Sequence, residues 1–542
     1  MKIIFVLTNL YIVLNCSELL CQVNEDWTSI YNSSGTYESG ISVKTDNSGN
    51  VYTAGTIQTS TGFDCILIKY NNYGNEIWTS IYDNPLSNLN DGVTSMVLDG
   101  RGNIFITGTT FSFENDVDYL TIKYDSSGDM KWVRTFGDTI IWGNDTTTFL
   151  SDYTEDIEVD NFGNVYVTGD DGTIKYDSLG NLLWIVKDDI TIQDMTIDVN
   201  SNIYITGFRY DQNTHRDCRT IKYNSLGVRI WISDYMGPTY SDDQGLAVTA
   251  DDLGNVYVTG FTHSNNYSDY SKYLTLKYDE SGIQQWAAIY GEQYERNIAN
   301  DIEVDKSGNV YVTGNAFSSN LTSNDCYGTI KYSPSGLQLW LTLHTGSSTA
   351  RARDLELDNQ GNIYVTGYFG SSIGDDYSTV KYNSNGLKIW QVRFNGSFIS
   401  SEELRSIAID NVGNVYVTGD AFPNLNMDIA TAKFSQTITG ISEGQGLLLS
   451  SFSLSQNYPN PFNPMTVIRY SIPSNFRGQV SYVKLVIFNT LGMEIATLVN
   501  EIQNTGEYEV EFDGSSLTSG VYFYIIEVDS RVIDTRRMVL LK

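Results

Sequence analysis

Basic side chains are scarce. Lys and Arg number 33 against 65 Asp and Glu, a formal charge of −32 over 542 residues. A surface of that sign cannot replace the counterions of a phosphate backbone, which excludes nucleic acid as a partner. It is also repelled by an anionic membrane. Charge of both signs together is only 18%, below the roughly 25% of an average soluble protein. Aromatics reach 13%, with 38 Tyr among them. Disorder needs the opposite balance. With 46 Gly, the composition suits β-strands joined by tight turns.

Catalytic motifs are missing too. The three His, His215, His263 and His344, fall in variable loops and lack the spacing of a His-Glu-x-x-His metal site. Nucleophile elbows, P-loops and Cys-x-x-Cys pairs are absent, so no enzyme is expected. Nor is there a long apolar run. Ile3 to Leu14 is 12 residues, short of the about twenty needed to span a bilayer, so no transmembrane segment is expected. With Lys2 ahead of it, the run reads as a secretory signal peptide over residues 1–21, cut after Cys21. A lipoprotein reading through Cys16 is weakened by Asn15, where a small residue is expected. The remaining Cys65, Cys218 and Cys326 open the same repeated strand in units that are not neighbours. They read as small packing residues rather than disulfide partners.

What the chain does have is a repeat. Trp recurs at Trp27, Trp78, Trp132, Trp184, Trp231, Trp286, Trp340 and Trp390, at intervals of 47 to 55 residues. Unit six shows the pattern: Asp301-Ile-Glu-Val-Asp305, Gly308-Asn309-Val-Tyr311-Val-Thr-Gly314, Thr329-Ile-Lys331-Tyr332, Gly336, Trp340. The Asp that opens the turn occurs eight times, at Asp46, Asp99, Asp160, Asp198, Asp251, Asp305, Asp358 and Asp410. A Lys of the third segment does too, at Lys69, Lys123, Lys175, Lys222, Lys277, Lys331, Lys381 and Lys433. Each unit reads as four short strands bounded by Gly and Asn. Asp-x-x-Gly-Asn has the chemistry of a type I turn closed by a left-handed Gly. Periods near 50 residues with four strands each point to a β-propeller. The last unit lacks its Trp strand and the chain opens with a spare one, Asp26 to Tyr31, so closure through the N-terminus gives eight blades.

The repeat Asp-x-x-Gly-Asn-Val-Tyr-Val-Thr-Gly followed by Thr-Ile-Lys-Tyr resembles the SBBP β-propeller repeat of bacterial extracellular proteins. That family's name implies seven blades; the count here is eight. The resemblance covers about residues 25–434 and implies a fold rather than a chemistry.

Four of the eight Pro lie between Pro459 and Pro473. After them come short alternating strands punctuated by Gly492, Gly506 and Gly520, which suit a small β-sandwich. The segment Gln456-Asn-Tyr458-Pro459-Asn460-Pro461-Phe462-Asn463-Pro464, with Leu491-Gly492, Gly520-Val-Tyr522 and the terminal Lys542, resembles the type A C-terminal sorting domain of the type IX secretion system. The resemblance implies export, with the secretion machinery as a partner. The expected architecture is therefore all-β: a signal peptide (1–21), an eight-bladed β-propeller (22–434), a linker (435–451) and an Ig-like sorting sandwich (452–542).

Loop lengths suggest a ligand site. The turns on one face are uniform, and the loops on the other vary. Binding residues tend to sit on variable loops held by a rigid scaffold. The long crossing after unit two holds Trp142, Asp145, Asp152 and Tyr153; the unit-four loop holds Arg209, Tyr210, His215 and Arg216. Aromatic platforms beside polar groups suit a sugar or a peptide. The eight turn Asp read as turn caps, since calcium wants six to eight oxygens and each turn offers one regular carboxylate. No cofactor is expected; calcium stays open, and no metal is named. The repeated Lys are expected either to line the axis or to pair within their units with Asp156, Asp194, Asp301 or Asp354. The reading is an exported surface or secreted protein that binds a glycan, surface polymer or protein without catalysis. The alternatives are a polysaccharide hydrolase or lyase and a structural surface-layer component.

Overall fold

The computed structural model describes residues 21–438 and 453–542, apart from 34–36, 86–89, 114–115, 138, 143–145, 150–151, 212–214, 238–241, 264–269, 292–294, 318–324, 346–349, 372–373, 395–402, 422–425, 455–456, 458, 473–479, 490–492, 505 and 529–530. The signal residues 1–20, most of the linker, Asp145, Tyr458 and Gly492 lie outside the described residues. Among those described, the helices and strands are all strands. The chain divides into two compact units, with the boundary between Thr437 and Ile438.

The larger unit holds eight four-stranded antiparallel sheets. The first sheet runs in the order Glu38–Thr45, Val51–Gln58, Phe63–Tyr70, Glu76–Tyr82. The next six repeat it, with first strands Asp91–Leu98, Thr154–Val159, Thr191–Ile197, Asp243–Ala250, Ile298–Val304 and Ala350–Leu357. The eighth comprises Glu403–Ile409, Val415–Ala421, Asp428–Ile438 and, on its outer edge, Cys21–Tyr31. Each first strand packs on the first strand of the next sheet, and Glu403–Ile409 packs back on Glu38–Thr45. The result is a closed, propeller-like ring in which the N-terminal strand covers an edge that would otherwise stay unpaired.

The repeated residues explain the ring. In the first turn Asp46 Oδ1 accepts the amides of Ser48 and Asn50, and Oδ2 accepts Asn50 Nδ2 and the Tyr52 hydroxyl, all within 3.1 Å. Gly49 closes the turn at φ +77°, a region costly to any side chain with a Cβ. The Asp is thus a turn cap that also anchors a buried Tyr.

The Trp and Lys join sheets. Trp78 Nε1 and Lys69 Nζ both donate to the carbonyl of Ser126 in the next sheet, at 3.4 and 3.0 Å. The pairs Trp132 and Lys123 on Ser178, and Trp184 and Lys175 on Ser225, repeat the arrangement. Each Lys also lies over the Tyr or Phe of its own second strand, as Lys69 does over Tyr52 at 4.9 Å. Gly128 lies flat on the Trp78 ring; a Cβ there would fall 2.7 Å from Cδ2. Trp27 of the N-terminal strand makes the same bond to Asn72 in the first sheet, at 3.0 Å. These Lys therefore neither line the axis nor pair with Asp156, Asp194, Asp301 or Asp354. A carbonyl and an aromatic face hold each one at a seam between sheets.

The smaller unit packs a three-stranded sheet (Ser453–Leu454, Met465–Ile472, Gly506–Asp513) and a four-stranded sheet (Glu494–Asn504, Val480–Asn489, Gly520–Val528, Arg531–Leu540) around one apolar core. Alternation places Ile468, Leu485, Ile487, Tyr524 and Ile526 inside.

Candidate functional site

The axis of the ring carries chemistry that the sequence pattern did not flag. Every first strand has a one-residue register shift, as between Gly40 and Ser42 or Ala299 and Asp301. Such a bulge re-aims the side chains that follow it. Beyond it Val43, Ile157, Met195, Ile302, Leu355 and Ile407 are buried in the core. Of the residues on either side of them, Lys44, Asp156, Glu158, Asp194, Asp301, Glu303, Asp354 and Glu356 turn to the axis and stay partly exposed.

These groups face one another across the ring. Lys44 of the first sheet feels Glu356 and Asp354 of the seventh and Glu158 and Asp156 of the third. Sheets two places away on either side can act on it together only through the axial space. Five carboxylates, Glu303 among them, thus share Lys44, and Asp194 and Asp301 adjoin them through Asp156, Glu158, Glu303 and Asp354. Three of them also latch the ring: Asp194, Asp301 and Asp354 accept the amides of Val248, Leu355 and Ile407 in the next sheet at 2.6 to 2.9 Å. Burial and mutual repulsion push Glu158 and Glu303 up to about 8. Burial, partly offset by Lys44, leaves Glu356 at about 7, and burial holds Asp156 at about 6. Asp194 and Asp301 are driven up for the same reason, burial first and neighbouring acids second. Burial alone would lower Lys44, but the carboxylates around it outweigh that and raise it. At neutral pH these raised acids are largely protonated, and the arrangement can hold a cationic group that displaces their protons.

The residues expected to form a ligand site fall into two groups at different seams. Trp142 lies in the strand Thr139–Trp142, which pairs with Thr146–Phe149 in the crossing after the second sheet. Asp152 is buried at the seam between second and third sheets, its amide donating to Val117, and Tyr153 beside it is exposed. Arg209, Tyr210, His215 and Arg216 lie together on the hairpin between Ile203–Asp211 and His215–Tyr223 of the fourth sheet. This basic cluster is internally neutralised. Arg209 pairs with Asp211 and Asp217 at 3.2 and 3.3 Å, and Arg219 makes a two-pronged bond to Asp234 at 2.7 and 2.8 Å. Arg216 covers the Phe208 ring at 4.7 Å, and its amide donates to Asp242.

None of the three His sits in a loop: His215 opens the strand His215–Tyr223 and His263 ends Val256–His263. His344 belongs to the strand Gln338–Thr345 and stacks on Phe369, with ring centroids 5.2 Å apart. Burial there lowers it to about 4, so it is neutral. Cys65, Cys218 and Cys326 are buried free thiols, and burial pushes all three above the ordinary thiol range.

In the smaller unit the described motif residues divide by role. Asn457 bonds the Tyr524 hydroxyl, the Pro459 carbonyl and Thr466. Asn460 Oδ1 accepts Val539 N–H, and Phe462 is buried beside Phe512 while bridging to the last strand. Tyr522 donates to the Thr518 carbonyl, and Lys542 donates to Ser519 and Ser515. Those residues build the fold, whereas Pro459, Pro461 and Asn463 are exposed. Gly520 opens its strand, and Pro464 accepts from Gly514 N–H.

Comparison with known proteins places this second unit. Residues 456–540 match the secretion system C-terminal sorting domain, which marks the chain as cargo of the type IX machinery, secreted or held at the cell surface. No curated protein matches the chain. Among solved structures, Chaetomium thermophilum Sqt1 bound to the N-terminus of ribosomal protein L10 is 7% identical and covers 76% of this chain and 99% of its own, with a TM-score of 0.49. A PL25 polysaccharide lyase, an ulvan lyase bound to its saccharide, is 11% identical over 73% of this chain and 94% of its own, with a TM-score of 0.38. A protein from Dyadobacter fermentans is 10% identical over 76% and 98%, with a TM-score of 0.37. At these values none of them lends this chain a function.

Proposed function

We propose that this is an exported binding protein whose functional body is an eight-bladed β-propeller of SBBP-type repeats. Residues 1–21 serve as its signal peptide, and an Ig-like sandwich directs its secretion. Eight four-stranded sheets that meet in a cycle support the blade count. One observation carries the binding role: carboxylates of the third, sixth and seventh sheets act together on Lys44 of the first across the axial space. In a chain of formal charge −32, such a site attracts a basic protein segment and disfavours acidic polysaccharides. Binding is non-catalytic, and the variable face supplies further contacts.

The test is a screen of the purified protein against basic peptides, neutral glycans and uronic or sulfated polysaccharides. Binding of Lys- or Arg-rich peptides that strengthens as pH rises through about 8, weakens with salt, and at the higher pH is reduced in Glu303→Gln would support the reading. Binding confined to acidic polymers, or turnover of any of them, would overturn it in favour of a lyase or hydrolase.

A further inference from the structure

We propose that Asp64, Asp83 and Asp91 form a calcium site at the seam between the first and second sheets. Asp64 lies at the start of the strand Phe63–Tyr70, Asp91 opens Asp91–Leu98, and Asp83 follows Glu76–Tyr82. One carboxylate oxygen of each lies within 4.8 Å of the others. Two oxygens bound to one calcium at about 2.4 Å lie at most about 4.8 Å apart, so this spacing permits a shared ion.

The second observation is unmet bonding capacity. Asp64 and Asp91 are each only 1% exposed. In both, Oδ1 has no hydrogen-bond donor among the described residues. The other oxygens are engaged: Asp64 Oδ2 accepts Thr59 Oγ1 at 2.6 Å, Asp91 Oδ2 accepts Asn84 N–H at 2.8 Å, and Asp83 Oδ2 accepts Thr61 Oγ1 at 3.2 Å. Buried acceptors without donors are rare in native proteins and call for a partner. Burial raises both, partly offset by hydrogen bonds from Thr59 to Asp64 and from Thr110 and Asn84 to Asp91, and neighbouring carboxylates raise them further.

Equivalent seams show what is missing. Asp428 and Glu38 meet between the eighth and first sheets. There the residue matching Asp83, one after the end of the fourth strand, is Asn32, whose amide donates to both Asp428 oxygens at 2.9 Å. At the seam between fourth and fifth sheets, Arg209 supplies positive charge to Asp217 at 3.3 Å. A trio of acids has no such partner of its own among the described residues, so an external cation or a shared proton must neutralise it. The donors are all oxygen: three carboxylates, with the Thr59 and Thr61 hydroxyls beside them. That set suits a hard ion and not zinc, which favours nitrogen and sulfur. Exposed Asp83 leaves the outer side open to water ligands, and the irregular set fits calcium better than the tight octahedron of magnesium.

The experiment titrates the purified full chain with CaCl2 by calorimetry and follows thermal melting in calcium, magnesium and chelator, for wild type and Asp83→Asn. We expect binding at about 10⁻⁴ to 10⁻³ M, as in extracellular calcium modules, weakened at least about tenfold in the variant. In chelator Asp83→Asn should melt no lower than wild type, because a repulsive charge is gone; in calcium it should melt lower. Two results would overturn the site. One is a wild type without calcium-dependent heat or melting shift at about 10 mM. The other is an equal shift in both proteins. If acidification stabilises wild type and calcium does not, the trio holds a proton instead, and the proposal falls.

Discussion

The axial carboxylates predict an unusual pH dependence. Glu158 and Glu303 are pushed up to about 8 and Glu356 to about 7, against an ordinary glutamate near 4.3. The folded chain therefore binds protons that the unfolded chain has released. Stability from these groups is fully present only at low pH and is lost as pH rises through 7 and 8. Lowering pH from 8 to 6.5 should stabilise the ring. One proton taken up contributes at most about 1.4 kcal/mol per pH unit, so about 2 kcal/mol for one glutamate over that window. The side chains are partly wetted and titrate only in part, so the three together should supply roughly 2–3 kcal/mol. At about 2.1 cal/mol/K per residue over roughly 400 residues, this raises the melting temperature by about 2–3 °C. The window stops at 6.5 because His344, neutral in the fold at about 4, destabilises once the unfolded chain's His begins to charge. The assay is calorimetric melting at the two pH values, with Glu303→Gln as the internal control. That variant should melt higher than wild type at pH 8 and respond less to acidification. A wild-type melting temperature that falls between pH 8 and 6.5 would refute the shared axial space.

Three other outcomes follow from the seams and the sorting unit. Gly128→Ala forces a side chain into φ +87° and to 2.7 Å from Trp78 Cδ2; it should cost about 2–4 kcal/mol, read as a lowered urea midpoint. Trp27→Ala removes a half-buried ring beside Tyr70 and Tyr416 and the bond to Asn72. It should cost about 2–3 kcal/mol and free the outer edge of the eighth sheet, so light scattering should detect oligomers. Deleting residues 453–542 should leave the ring folded but retained inside the outer membrane, as cell fractionation and immunoblotting would show.

The fold was legible because each landmark of the repeat makes a contact that recurs from seam to seam. Trp78, Lys69 and Gly128 form one joint, and a joint repeated around a ring must recur at the ring's period. The spare Trp27 strand was legible for the same reason. The axis was not. Alternation along Asp301-Ile302-Glu303 separates two sets of side chains, but it does not say which set meets the axis, and the bulge before Asp301 breaks the count. The repeated Asp and Lys drew attention to turns and seams, where periodicity is a structural demand. The matching axial positions hold Lys44, Val97, Glu158, Thr196, Thr249, Glu303, Glu356 and Ala408. Apart from Val97 and Ala408, which pack with the core, no joint constrains them, so their differences are available to binding. The same holds one residue beyond the fourth strand, where Asn32 completes an acid pair and Asp83 adds a third acid. In a ring of copies, whatever recurs eight times builds the ring. The chemistry that belongs to this chain must therefore be sought where one copy departs from the rest, and both the axial acids and the Asp64–Asp83–Asp91 trio are departures of that kind.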